Sequence, residues 1–438
     1  MSGWRNSLAA YTDRRVLMVL TLGFASGLPL LLTYSTLSAW LATAGVRRAA
    51  IGAFALVGTP YAFKFLWSPL IDWLPPPLPL GRRRGWGISI QIALIASLIV
   101  LGTCDPKRHL GLMAGFALAV AFLSASQDIV IDAWRVEILP LDLQGPGAGM
   151  IQTGYRIAML VSGAGALVIA SRFGWFAAYA TMSALLVVGI LVFLFGPEPD
   201  AADAAAAAKA RGNDRGWRDF TRRLSTALIG PFADFMRRPI WLVILLFVVG
   251  YKLGEATAGA MATPLYISLG FSLDEIAAVS KLVGLVATVV GALVGGLVTV
   301  RFGILRSLML CGVLQALGNL FYVLQAVGGH RLGYLALCVT SENLTGAMAG
   351  AALVAYLSSL CSSAFTATQY ALLSSLASVG RTLAASSSGV LAEALGWVRF
   401  FLLTTVVTIP ALLLLVWIAR REATPTDQSP PLPVLTKS

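Results

Sequence analysis

The chain has 438 residues, of which 58% are hydrophobic and only 12% are charged. A soluble domain carries about 25% charged residues, so this composition excludes an ordinary soluble protein and predicts one that lies in a lipid bilayer. The net charge of +12 does not call for nucleic acid, because basic loops on the inner side of a membrane account for it. The cysteines and histidines show no ligand spacing, so we expect no metal site and no cofactor beyond a proton gradient.

Apolar segments long enough to cross a bilayer recur along the chain. A helix needs about 20 residues to cross about 30 Å of hydrocarbon, and on that measure there are about twelve spans. They lie near 16–42, 50–72, 87–104, 110–138, 148–170, 175–196, 239–268, 275–300, 304–326, 331–357, 363–391 and 397–419. The first is longer than the core of a signal peptide, which has about 7–15 residues, so we expect it to be retained.

The charged loops and the longest polar segment divide the chain. Arginine and lysine are more frequent in the loops on the side of the N-terminus, which predicts that both termini are cytoplasmic. Residues 197–238 form a long polar segment between an N-terminal six-helix half, 1–196, and a C-terminal six-helix half, 239–419. Residues 420–438 are rich in proline and are expected to be a disordered cytoplasmic tail.

The segment between the halves contains one pattern of its own. Trp217, Phe220, Leu224, Leu228 and Phe235 recur at helical spacing between arginines. This pattern is typical of a basic amphipathic helix on the inner surface of the membrane, although a simple connector would fit equally well.

The two halves resemble each other at one turn. Gly45 precedes Ile51, and Gly270 precedes Ile276, at the entry to the second helix of each half. With six helices on either side of a long central segment, this repetition is similar to the architecture of the major facilitator superfamily. The expected fold is therefore an all-α membrane protein of about twelve transmembrane helices in two six-helix halves.

A charged motif follows the second span. The stretch 68–72 ends in an aspartate, and Gly81–Arg84 follows after a proline-rich turn. It resembles the superfamily signature Gly-x-x-x-Asp followed by Gly-Arg-Lys/Arg, with serine in place of the first glycine; the matching site of the second half, 296–306, has arginines but no acid. The resemblance implies a cytoplasmic latch that closes the inner gate, whereas the alternative is a plain basic loop. The residues given this gating role are Asp72, Arg82, Arg83 and Arg84.

Ionisable residues inside the apolar spans are few, and each costs free energy unless it meets water or a partner. They are Lys64, Asp128, Asp132, Arg156, Lys252, Glu255, Lys281, Glu342 and Arg381. Asp128 and Asp132 are four residues apart, so both lie on one helix face. Lys252 and Glu255 are three apart and can pair. The pattern predicts a polar path through the membrane, although about half of these groups could instead be ion pairs that lock helices together.

The acids in these spans suit proton coupling. A carboxylic acid held away from water binds its proton more readily, and a neighbouring arginine such as Arg156 would oppose this. The proton-coupling candidates are Asp128, Asp132, Glu255 and Glu342, of which Asp128 is favoured.

Other polar, basic and aromatic groups in the spans could contact a substrate. Amides bind hydroxyl groups, cations attract anions and aromatic rings stack on sugars, although aromatic residues in membrane helices more often lie in the core or at the lipid interface. The candidates for substrate binding are Gln127, Trp134, Tyr155, Arg156, Tyr251, Lys252, Lys281, Asn343 and Gln369.

Several longer stretches point to a narrower family. In chain order they are Leu22–Pro29, Phe63–Leu70, Gly81–Trp86, Ser124–Val130, Asp132–Trp134, Gly154–Arg156, Tyr251–Gly254, Glu342–Asn343 and Ala367–Leu373. Together they resemble the AmpG-type muropeptide permeases of Gram-negative bacteria. The resemblance implies import of N-acetylglucosaminyl-1,6-anhydro-N-acetylmuramyl peptides with protons across the inner membrane, for peptidoglycan recycling and, in some species, induction of β-lactamase.

Two other classes of function stay open at this point. A facilitator-type carrier for another organic anion, such as a nucleotide-sugar or an acyl-CoA, is the main alternative, whereas a membrane enzyme or receptor is disfavoured because the chain lacks histidine and cysteine clusters. The fifth span also lacks the Gly-Pro signature of antiporters, which favours symport. The expected partners are the muropeptide, protons and the lipid bilayer, without nucleic acid, and we expect a monomer.

Overall fold

A computed structural model describes residues 7–199 and 229–423 of the chain. The secondary structure of these two stretches is helical throughout. Most of the predicted amphipathic helix, residues 217–228, and most of the predicted tail, residues 424–438, lie outside them.

The first half is a series of helices that begins after Asp13. They are α1 (Arg14–Thr33), α2 (Ser35–Thr43), α3 (Arg48–Ala53), α4 (Thr59–Phe63), α5 (Ser68–Trp73), α6 (Arg82–Thr103), α7 (Leu110–Ile138), α8 (Gln144–Leu160), α9 (Ala166–Leu185) and α10 (Val187–Phe195). Short 3-10 helices at Phe54–Gly58 and Lys64–Leu66 and a π-helical turn at Val161–Gly165 join some of them.

The second half follows the same plan. Its helices are α11 (Trp241–Gly250), α12 (Leu253–Ser268), α13 (Leu273–Val279), α14 (Leu285–Phe302), α15 (Ile304–Gly318), α16 (Leu320–Gly328), α17 (Leu332–Ser359) and α18 (Thr366–Ala423). A π-helical turn at Ser280–Gly284 joins α13 to α14.

Eight segments of the described chain are long and apolar enough to cross a membrane. Two of them, Leu141–Phe195 and Ser363–Arg421, run to 55 and 59 residues, about twice the length that one crossing needs. Gly174 in the first and Gly396 in the second have φ of 84° and 71°, which only glycine adopts without strain, and each glycine divides its run into two helices. The predicted count of twelve spans and the predicted side of the termini stay predictions.

The second predicted span, 50–72, is not one continuous helix. It is divided into α3, α4 and α5 with 3-10 turns between them. Pro60 and Pro69 lack an amide hydrogen and each begins a new helical segment, and a side chain at Gly58 would overlap the hydroxyl of Tyr34. The seventh predicted span, 239–268, is likewise interrupted between α11 and α12.

The two halves pack against each other through α8 and α14. A side chain at Gly149 of α8 would come within 2.6 Å of the carbonyl oxygen of Ala292 of α14, so the backbones approach closely where small residues face each other. Tyr11, just before α1, donates a hydrogen bond of 2.6 Å to the carbonyl oxygen of Leu293. These contacts close one end of the space between the halves.

Candidate functional site

A buried arginine joins three helices at this end of the bundle. Arg83 of α6 lies 2.8 Å from Asp72 of α5 and 2.5 Å from Glu137 of α7, and Arg82 lies 3.1 Å from the same Glu137 carboxylate. The pairing of Asp72 with the arginines was predicted, whereas Glu137 was not named. We call the end of the bundle that carries Asp72, Arg83 and Glu137 the latch end.

Asp72 also reaches across to the second half. Its second carboxylate oxygen accepts hydrogen bonds from the backbone N–H of Thr368 at 2.9 Å and from the Thr368 hydroxyl at 2.8 Å. Thr368 stands in the first turn of α18, where unpaired backbone N–H groups favour a negative charge. The Arg84 guanidinium donates to the carbonyl oxygen of Gly196, beyond α10, at 2.8 Å, and its predicted gating role stays a prediction.

Arg135 forms a second tie between the halves at the latch end. Its guanidinium donates to the Ser358 hydroxyl at 3.0 Å and lies over the ring of Tyr370, 5.2 Å from the ring centroid. The same guanidinium is 3.7 Å from Asp132, one turn earlier on α7. The latch end therefore holds the halves together through charged and aromatic side chains as well as through small residues.

A polar cavity of about 510 Å³ lies between the halves, farther from the latch end, and we call it the central cavity. Its lining residues are Leu30, Leu31, Tyr34, Tyr61, Lys64, Asp128, Tyr155, Ser374, Ser375, Ser378 and Arg381. Those up to Tyr155 belong to the first half and the rest to α18 of the second, so movement of one half against the other would reshape it.

The two aspartates of α7 have different surroundings. Asp128 lines the central cavity and accepts a hydrogen bond of 2.5 Å from the Ser26 hydroxyl. Asp132 lies between two cations, 3.9 Å from Lys64 and 3.7 Å from Arg135. A row of alternating charges thus leads from the cavity wall, at Lys64, to the Arg135 contact between the halves.

A second cavity of about 380 Å³, the side cavity, lies mainly within the second half. It is lined by Glu255, Ala256, Gly259, Ala260, Glu342, Ser378, Arg381, Thr382 and Ala385, and it shares Ser378 and Arg381 with the central cavity. Two carboxylates with different partners therefore face the same cavity.

The partners of these two carboxylates all belong to the second half. Glu255 accepts hydrogen bonds from Lys252 and Gln315, and Glu342 accepts one from the Tyr322 hydroxyl. Lys252 also donates to the carbonyl oxygen of Gly346 at 2.8 Å, so its ammonium group is occupied within the protein. The predicted pairing of Lys252 with Glu255 is present, and it leaves Lys252 poorly placed to bind a substrate anion.

Only some of the predicted substrate residues reach a cavity wall. Tyr155 lines the central cavity, whereas Gln127, Trp134 and Tyr251 are buried and bonded to backbone carbonyl oxygens of Ala25, Pro197 and Leu308. The structure thus places these three inside the packed helices, because a polar group in a span satisfies itself on the nearest free carbonyl when no water is available.

The remaining predicted residues are dispersed. Gln369 donates to the Asp234 carboxylate at 2.8 Å and so attaches the end of the central segment to α18 at the latch end. Asn343 is bonded to Thr288 and to its own helix, and Arg156 has an exposed side chain on α8. The side chain of Lys281 lies outside the described residues.

Several cavity residues carried no predicted role. Arg381 and Lys64 were recognised as ionisable groups within spans, but nothing in the sequence showed that both would line one cavity. Tyr34 and Tyr61 carry no sequence signal that separates them from the many aromatic residues at lipid interfaces. Only the fold brings these residues together.

A polar cavity between two helical halves is typical of a membrane transporter. A family model of the Major Facilitator Superfamily matches residues 20–385 and 253–437. The human organic anion transporter MFSD10 superposes with a TM-score of 0.65 at 17% identity, covering 92% of this chain and 99% of the other. The proton:xylose symporter XylE superposes with a TM-score of 0.63 at 13% identity, covering 94% and 96%. These likenesses establish the fold.

Relatives with more similar sequences narrow the family within this superfamily. The Anhydromuropeptide permease of Escherichia coli K12 is 42% identical over 411 residues, which cover 93% of this chain and 80% of the relative. A protein named Putative transporter AmpG 4 of Rickettsia felis is 33% identical, covering 94% and 98%. The chain therefore belongs to the major facilitator superfamily and, within it, to the AmpG-type permeases. It is a multi-pass membrane transporter.

Proposed function

We propose that the protein is a proton-coupled symporter that imports anhydromuropeptides across the bacterial inner membrane. The substrates would be N-acetylglucosaminyl-1,6-anhydro-N-acetylmuramyl peptides, moved from periplasm to cytosol for peptidoglycan recycling. In species where such muropeptides induce β-lactamase, this import would also supply the inducer. The observation that carries the proposal is the central cavity between the halves, whose walls carry a carboxylate, an ammonium group, a guanidinium and three phenol groups, together with the adjoining side cavity, which adds two carboxylates.

The size and the lining of the two cavities support a substrate of this kind. Ligand sites commonly measure about 300–1,000 Å³, and the central and side cavities together fall in that range. Phenol and serine hydroxyl groups suit the hydroxyl and amide groups of a disaccharide. A guanidinium suits the carboxylates of a peptide.

Proton coupling is supported by the surroundings of two acids. Asp128 and Glu342 face the cavities, and each is bonded to a hydroxyl group and not to a cation. A carboxylic acid in such a place can gain a proton from one side and lose it to the other as access alternates. The charge of Lys64 also acts on Asp128, but of the described acids only Asp132 lies within ion-pair distance of Lys64. Glu255 and Asp132 form ion pairs, which favour the charged form and make these two acids weaker candidates.

Uptake into proteoliposomes tests the proposal. Purified protein is reconstituted, and labelled anhydromuropeptide is supplied outside with the lumen either alkaline or at equal pH. We expect the labelled substrate to accumulate above its external concentration only with the pH gradient, and a protonophore to abolish the accumulation. Equal accumulation with and without the pH gradient would contradict proton coupling. Absence of any uptake would contradict the assignment of anhydromuropeptide as the substrate.

The same vesicles distinguish the alternative of another organic anion. An excess of unlabelled anhydromuropeptide should block uptake of the labelled substrate, whereas a nucleotide-sugar or an acyl-CoA should leave it unchanged. The reverse order of inhibition would assign the protein to the alternative.

A further inference from the structure

Arg381 has an unusual position in the bundle. It lies 15 residues after the start of α18, which places it about 22 Å along the helix from the latch end. Its side chain is exposed and lines both the central cavity and the side cavity. A guanidinium at this depth in a membrane protein is costly unless it has water or an anion beside it.

The acids around Arg381 are bonded to other groups. Glu255 pairs with Lys252, Glu342 accepts from Tyr322, and Asp128 accepts from Ser26. In residues 7–199 and 229–423, no carboxylate lies within ion-pair distance of Arg381. No described residue is hydrogen-bonded or ion-paired to its guanidinium. Glu255 lies across the side cavity within reach of its charge, but that carboxylate is already held by Lys252.

A second polar group beside this arginine also lacks a partner. Ser375 lines the central cavity, is 2% exposed, and its hydroxyl oxygen makes no hydrogen bond to any described residue. Ser374 and Ser378 of the same helix line the cavity as well. Buried hydroxyl groups are almost always bonded, so an unpaired one on a cavity wall is available to bond a molecule in the cavity.

We propose that Arg381 and Ser375 bind a carboxylate of the substrate's peptide, while the wall of Tyr34, Tyr61 and Tyr155 in the first half faces the saccharide. The inference rests on the proposed function and adds to it the direction in which the substrate lies across the two halves. A guanidinium binds a carboxylate through two parallel N–H···O bonds, and an adjacent hydroxyl group adds a third donor. Arg381 is thus a specificity residue for peptides with free carboxylates.

The test compares two substrates that differ only in charge. One is the anhydromuropeptide with free peptide carboxylates, and the other is the same compound with those carboxylates amidated. For the unaltered protein we expect KM for the amidated compound to be about tenfold higher or more, since hydrogen bonds to charged groups are the strong ones. Arg381→Gln should raise KM for the free acid to the value of the amide and leave KM for the amide unchanged.

Two further variants keep the inference falsifiable. Ser375→Ala removes an unpaired hydroxyl, so it should leave thermal stability unchanged and raise KM for the free acid by about fivefold. Arg172→Gln serves as a matched control, because Arg172 is an exposed arginine of α9 outside both cavity linings, and it should change neither KM. Equal losses for acid and amide in Arg381→Gln would overturn the carboxylate site.

A binding measurement separates this inference from the proposed function. The detergent-solubilised protein is heated with the free-acid compound or with its amide. We expect the free acid alone to raise Tm, and Arg381→Gln to abolish the rise. If the vesicles transport nothing while this Arg381-dependent rise persists, the proposed transport fails and the carboxylate site stands. If the free acid and the amide raise Tm equally, the carboxylate site fails.

Discussion

The first half concentrates its buried charge at the latch end, whereas the second half has its ionisable groups around the cavities. The two halves share a backbone plan: Gly45 and Gly270, with φ of 78° and 88°, make the same turn before α3 and α13. Where the first half has Asp72 and the buried Arg83, the second half has Arg301, which lies over its neighbour Phe302. The repetition of the backbone is therefore not a repetition of chemistry.

This difference suggests a division of labour between the halves. The first half carries the groups that bind the halves to each other, through Asp72 and Arg135. The second half carries Arg381, together with the Lys252–Glu255 pair and the Glu342–Tyr322 pair. Asp128 and Lys64 are the exceptions, because both lie on the first half and line the central cavity.

The largest expected effect comes from removing the buried latch arginine. Arg83→Gln leaves Asp72 buried without its cation and Glu137 with Arg82 alone, which should lower the free energy of unfolding by about 3–5 kcal/mol. Arg301→Gln, its exposed counterpart, should lower it by less than about 1 kcal/mol. Thermal unfolding of both variants in detergent measures the difference. Similar losses for both would mean that the halves are not divided in this way.

Proton coupling offers the second comparison. Asp128→Asn should abolish gradient-driven accumulation and keep substrate exchange, since Asp128 lines the same cavity wall as Lys64, where the charge row to the Arg135 contact begins. Glu342→Gln should reduce accumulation less, because among the described residues no row of charges leads from Glu342 to the contact between the halves. Accumulation and counterflow in vesicles measure both. If Asp128→Asn accumulates as much substrate as the unaltered protein, another acid carries the coupled proton.

A smaller effect is expected for the ion pair of the second half. Lys252→Ala leaves Glu255 without its cation, and because Glu255 is about one-third exposed the loss of stability should be about 1–3 kcal/mol. Uptake of the free-acid and amidated muropeptides should fall by the same factor, in contrast to Arg381→Gln. If uptake falls for the free acid and not for the amide, Lys252 binds the substrate anion, as the sequence predicted.

The smallest effect concerns the helix cap at the turn before α13, which has no counterpart at the matching turn before α3. Ser272 and Glu275 bond to each other's backbone N–H at the start of α13, while α3 begins at Arg48 without a side-chain cap. The bond from the Ser272 N–H lowers the pKa of Glu275, so this contribution is present above about pH 4.3 and is lost as the pH falls through the lower folded value. Glu275→Gln should therefore flatten the fall of Tm between about pH 5 and 3. An unchanged pH profile would show that the cap does not stabilise the second half.

Contacts within one helix, or between neighbours in sequence, could be predicted from spacing. Lys252 pairs with Glu255 three residues later, as their spacing predicted, whereas the pairing of Asp72 with Arg83 was implied by the resemblance to the superfamily signature. By contrast, the partners Glu137 and Thr368 come from distant helices, and no spacing rule connects them to Asp72. Trp134 and Gln127 show a second limit of prediction from sequence. Residues of these types are common in binding sites, but here both bond to backbone carbonyl groups between the packed helices.

The sequence by itself determined that the chain lies in a membrane, that it has two halves, and which family it resembles, because hydrophobicity, loop charge and short motifs are local properties. Tertiary structure decided which ionisable groups meet a partner and which face the cavity. Spacing along a helix fixes the face on which a side chain lies, but only packing fixes what lies opposite that face. Arg381 is the central residue of the site because it lines both cavities and the acids of the neighbouring helices are bonded to other groups.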